Sequence, residues 1–99
     1  MASSHWSLRR YFNYYNRKYF GGRLPADTQL IWDAQGSTHA FAINGSIHMD
    51  HALRGFTKYA KMVLLHEMVH IENPRLSHGI KFRNRIRELF EAGAFDDLL

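Results

Sequence analysis

Apolar residues recur at helical spacing near the start of the chain. Within residues 4–20, Leu8, Tyr11, Phe12, Tyr15 and Tyr19 are separated by three and four positions, which predicts an amphipathic helix with one buried stripe. Ser4 or Ser7 can cap its start, and Gly21-Gly22 can end it. The period then shortens. Residues 28–33, 38–43 and 46–50 read as three short strands, with Gln35-Gly36 as a turn between the first two. Asn44-Gly45 closes a hairpin between the second and third. Residues 53–56 form a connector punctuated by Gly55. A second helix runs from Thr57, as its cap, to Asn73, where Pro74 stops it. Met62, Val63, Leu65, Met68 and Val69 make that helix apolar over much of its circumference, as in a buried helix. A last helix starts near Ser77, carries Phe82, Ile86, Leu89 and Phe90, and ends at Gly93. The expected architecture is α+β: an N-terminal helix, a small three-stranded and mostly antiparallel sheet, a central helix and a closing helix.

The bounds agree with that picture. Ninety-nine residues make one domain, 1–99, with a single modest core. A hydrophobic fraction of 45% and a charged fraction of 22% are ordinary for a soluble globular protein. No apolar run approaches the ~20 residues of a membrane helix, and the first six residues contain no apolar signal core. The absence of cysteine excludes disulfides and thiolate metal sites and fits a cytoplasmic address, though a cysteine-free chain tolerates any compartment; a monomer is expected. A net charge of +4 permits contact with nucleic acid or acidic peptides without requiring it.

The central helix carries the chemistry. His66-Glu67-Met68-Val69-His70 places two imidazoles one turn apart on one face, where they can grip a single metal ion. Glu67 can reach a water on that ion as general base, the arrangement of a zinc-dependent peptidase. A catalytic zinc needs a third protein ligand. The metzincin continuation requires Gly at 73 and His at 76; the chain has Asn73 and Leu76. Glu88 or Glu91 on the last helix can serve in a thermolysin-like way. The better candidate is His78, brought back toward the first two ligands by a reversal at Asn73-Pro74.

These residues, with His78-Gly79-Ile80-Lys81-Phe82, resemble the H-E-[apolar]-x-H … H-G-x-x-F pattern of SprT-like metallopeptidases. Residues 14–25, from Tyr14 through Gly21-Gly22 to Pro25, are similar to the family's N-terminal block. Gly45-Ser46-Ile47-His48-Met49 matches its glycine-led strand more loosely. The resemblance spans roughly residues 8 to 90. It implies a zincin fold, one catalytic Zn2+ held by His66, His70 and His78, and Glu67 as the catalytic carboxylate. Many relatives add a cysteine-bearing zinc module or tail that binds DNA or recruits partners. This sequence has no cysteine, so DNA stands as a secondary expectation beside a protein or peptide substrate.

An extended substrate needs a sheet edge to pair with. The first arm of the hairpin, His39-Ala40-Phe41-Ala42, is in the right place. His39, His48 and His51 precede the active helix and are candidates to stabilise an oxyanion, though each alone reads more simply as a surface or capping residue. Arg9, Arg10, Arg17 and Lys18, and Lys81, Arg83, Arg85 and Arg87, read as solvated faces or, alternatively, as phosphate contacts. A different class remains open: a basic nucleic-acid-binding domain in which zinc ties two helices together without catalysis.

Overall fold

The computed structural model describes residues 7–33, 40–75 and 77–98. Ser4, Gln35-Gly36, Thr38 and His39 lie outside the described residues. Helix α1 (Leu8–Tyr19) buries Leu8, Phe12 and Tyr15, the stripe expected from their spacing. Ser7 caps it, its side chain accepting from the Arg10 amide at 3.2 Å. Asn16 shares the buried face and clasps the chain that follows. Its Nδ2 donates to the Leu24 carbonyl at 3.0 Å, and its Oδ1 accepts from the Leu24 amide at 3.1 Å. Arg9 departs from the solvated-face reading. Its guanidinium donates to the carbonyls of Ala26 and Thr28, tying α1 to the segment that enters the sheet.

Strands β1 (Gln29–Asp33), β2 (Ala40–Ile43) and β3 (Ser46–Asp50) form a sheet of order β1-β3-β2. β2 and β3 are the expected hairpin, with Asn44 and Gly45 at φ 48° and 80° in a two-residue turn. β1 runs parallel to β3, so the sheet is mixed and not mostly antiparallel. The turn dipeptide encodes the local pairing, whereas the β1–β3 partnership joins strands apart in sequence and has no local marker. β3 is the central strand; Ile47 and Met49 on its inner face are completely buried.

Asp50 caps a 3-10 turn, His51–Gly55, which fills the expected connector and buries Leu53. Helix α2 (Thr57–Glu72) follows, with Thr57 as its first residue; Phe56 holds the cap position and no side chain caps the helix. Ala60, Leu64, Leu65, Met68 and Val69 of α2 are fully buried in one core with Phe12, Phe20, Ile47 and Met49. At about 25 cal/mol per Å2 of apolar surface, each of the larger side chains stabilises the fold by roughly 1.5–3 kcal/mol. Asn73 ends α2 and Pro74 prevents its continuation.

Helix α3 (Ile80–Glu91) starts two residues later than a Ser77 cap implies, with extended Gly79 at the cap position. His78 therefore stands on the α2–α3 connector. At the far end, Gly93 at φ 92° lets the Ala94 amide reach the Leu89 carbonyl and its own amide reach that of Phe90. This left-handed closure returns Ala94 and Phe95 to the core.

α3 is tied to the rest through Arg85, which is only 19% exposed despite lying on the supposed basic face. It pairs with Glu72 at 2.8 Å and with Glu88 at 3.2 Å, and donates to the Tyr19 carbonyl at 2.9 Å. Arg23 adds a second cation on Glu72.

Candidate metal centre and flanking clefts

His66 and His70 project from one face of α2, their ring centroids 5.1 Å apart. The connector brings His78 against both. Its Nε2 is 3.2 Å from that of His66 and 3.0 Å from that of His70. A neutral imidazole carries only one ring N–H, so Nε2 of His78 cannot donate to both neighbours. Three nitrogens at such spacing suit a different partner. Ligands about 2.0–2.1 Å from a tetrahedral ion lie roughly 3.3 Å from one another. The three histidines could hold a metal ion, and they are the sole such cluster among the described residues. Burial, and then the neighbouring imidazoles, lower the pKa of His66 to about 4. His70 is shifted down for the same reasons. Both effects favour the neutral rings that metal binding requires.

Glu67 follows His66 but faces inward, with 7% of its surface exposed. Burial raises its pKa to about 7, the value of a proton acceptor that can also give the proton back near neutrality.

Two clefts meet at His66 and Glu67. One, of about 710 Å3, is lined by Pro25, all of β2, Asn44, Gly45, the three histidines, Ile71 and Pro74. Ala40 and Ala42 are half-buried and pack against the core, while Phe41 and Ile43 are exposed. β2 is an edge strand, and no described strand pairs with its outer side. Because Ile43 pairs with Ser46 beside the two-residue turn, Ala42 and Ala40 fall at the alternate ladder positions. Their amides and carbonyls thus point away from β3. The other cleft, of about 600 Å3, runs between α2 and α3 and is walled by Tyr59, Met62, Val63, Phe82, Ile86 and Phe95, with Arg83 beside them. Met62 and Val63, expected in the core, are half-buried walls of this second cleft.

The remaining candidates are not part of the cluster. His48 points to the other face of the sheet, where Nδ1 bonds to Asp33 at 3.0 Å and Phe41 stacks on its ring at 4.6 Å. His51 is exposed on the 3-10 turn. Glu88 is paired with Arg85, and Glu91 is exposed. His39 lies outside the described residues. Sequence reasoning missed the clasp at Asn16; the one available signal was a polar residue inside an apolar stripe.

No family model matches the sequence, and no curated protein matches it. Among solved structures, the fold is similar to the crystal structure of the metallopeptidase zymogen of Pyrococcus abyssi abylysin. The TM-score is 0.68 at 14% identity, over 93% of this chain and 88% of that one. The likeness is one of fold: α+β, with three helices and a three-stranded mixed sheet among the described residues. No helix among those residues is long and apolar enough to cross a membrane.

Proposed function

We propose that this chain is a SprT-like zinc metalloendopeptidase, with His66, His70 and His78 as the ligands of one zinc ion and Glu67 as general base. The observation that carries the reading is the convergence of three imidazole nitrogens beside a buried carboxylate where two clefts meet. The fold likeness to a metallopeptidase supports it, as does the sequence resemblance. The donor set suits the ion: three imidazole nitrogens, no fourth ligand among the described residues of the cluster, and an open cleft beside them.

Bound zinc supplies Lewis acidity, which polarises a carbonyl and lowers the pKa of water from ~15.7 toward ~7. The chain's residues do the rest. Ala40 and Ala42 of β2 present outward amides and carbonyls, which hold an extended peptide by main-chain pairing. His39, Ala40, Phe41 and Ala42 together form the proposed substrate edge. The apolar cleft between α2 and α3 takes one side chain flanking the scissile bond. Glu67 accepts a proton as water adds to the peptide carbonyl, and returns it to the departing amine nitrogen. One water is consumed; one carboxyl and one amine terminus are released. The substrate is a protein or peptide, and the chain acts as a cytoplasmic monomer.

The test is metal analysis with a casein-cleavage assay. The wild type should hold about one zinc and cleave; Glu67→Ala should retain zinc and lose roughly 10²–10⁴-fold in rate. Full activity in that variant removes Glu67 from the mechanism. A zinc-loaded wild type that is inert but binds DNA in a salt-sensitive way points instead to a binding module.

A further inference from the structure

A metal-ligating imidazole ordinarily donates its second ring N–H to a carboxylate or carbonyl, and that bond fixes the plane of the ring. Among the described residues, no protein group bonds to Nδ1 of His66, His70 or His78; the bonds these rings make run through Nε2. The last torsion of a histidine side chain is broad, so a ring without such a bond can swing. His78 stands on an exposed connector, where little else restrains it. Yet the three nitrogens converge.

Phe82 supplies a common restraint. Its ring centroid lies 4.8 Å from each of the three imidazoles. It is stacked on His70 at 16° and meets His66 and His78 edge-on, at 67° and 89°. Offset-stacked and edge-to-face contacts are the two favoured arrangements of flat rings, because each sets a positive edge or an offset against a negative face. Phe82 is itself 4% exposed, belongs to the first turn of α3 and is part of the hydrophobic core cluster, so it has an anchor besides the rings it touches. An aliphatic side chain of similar volume fills the space but imposes no plane on its neighbours.

We propose that Phe82 is a positioning residue that braces all three imidazoles, taking the part usually played by hydrogen-bonded carboxylates or carbonyls. The proposal rests on the three histidines being the metal ligands, but not on peptidase activity.

The experiment measures zinc affinity by competition with a chromophoric chelator, together with the visible spectrum of the Co2+-loaded protein. It compares wild type, Phe82→Leu, Phe82→Tyr and Leu89→Ala. Phe82→Leu should bind zinc about 10–100-fold more weakly and show altered cobalt bands. Phe82→Tyr keeps the ring and should stay within about threefold of wild type, with the wild-type spectrum. Leu89→Ala, a buried loss on the same helix away from the rings, should lower Tm and leave affinity and spectrum unchanged. Should Phe82→Leu fail to fold, Phe82→Met takes its place under the same expectation. Wild-type affinity and spectrum in Phe82→Leu overturn the proposal. So does a zinc loss in Leu89→Ala or in Phe82→Tyr as large as that in Phe82→Leu. A wild-type chain that takes up neither ion refutes the metal centre on which the bracing depends; a zinc-loaded but proteolytically inert chain refutes only the peptidase reading.

Discussion

The two clefts beside Glu67 are built from different materials. The one along β2 offers backbone amides and carbonyls and three imidazoles. The one between α2 and α3 offers mainly aliphatic and aromatic side chains. A backbone edge holds any extended peptide in register, whatever its sequence. An apolar slot discriminates by size and shape. On the proposed peptidase reading, the difference would assign affinity to the first and selectivity to the second, with Glu67 and His66 at the seam.

That division can be broken at either cleft. The largest effect is expected in the apolar one. Val63→Phe should narrow it and cut the preference for a bulky over a small apolar residue beside the scissile bond by roughly 10–100-fold, as one or more misfit methylenes would. The ratio of kcat/KM for a matched peptide pair reads it, and zinc content should not change. An unaltered ratio would mean that no side chain enters the slot. A smaller loss is expected at the edge strand. Ala42→Pro removes one outward amide at a position that does not donate to β3, so the ladder survives. Losing one hydrogen bond of about 1 kcal/mol should lower kcat/KM roughly fivefold on every peptide alike. A loss confined to some side chains would contradict the assignment of affinity to the backbone.

The smallest effect concerns what holds α3, and so the second cleft, in place. Burial pushes the Glu72 carboxyl up, but hydrogen bonds and charges from Arg85 and Arg23 outweigh it and hold its pKa below the ordinary value. Ionised Glu72 therefore stabilises the folded chain at neutral pH. That contribution begins to fade below the unfolded carboxylate pKa of about 4.3 and is lost as pH falls through the lower folded value. Thermal unfolding between neutral and acid pH should show a shallower fall in Tm for Glu72→Gln than for wild type. Parallel curves would leave the ion-pair cluster without a share in stability.

What could be read from the sequence was what short-range spacing encodes. His66 and His70 follow from helical periodicity, the hairpin from Asn44-Gly45, and His78 from a proline stop followed by a histidine at returning distance. Interactions between distant segments left no such trace. Arg9 and Arg85 have the same local context as solvated cations, and only the fold supplies the carbonyls and Glu72 that bind them. The parallel partnership of β1 with β3 is likewise invisible to any turn rule. Met62 and Val63 read as core because an apolar residue looks the same against a packed interior and against an open cleft. Ser77 reads as a cap, but extended Gly79 holds that position and leaves His78 on the connector, against His66 and His70.

The connector that carries His78 also bears on the survival of the chain. On the proposed ligand set, an ion joining His70 to His78 closes a loop of sequence separation 8 and fastens the start of α3 to the end of α2. An ion bound only by the folded state adds about 1.4 kcal/mol for each tenfold excess of free ion over Kd. Scarcity of zinc then loosens α3 as well as stopping the chemistry, and the loosened chain is the form that cellular proteases remove. The abundance of the protein would follow the zinc supply, so that the metal sets how many active sites exist as well as what each can do.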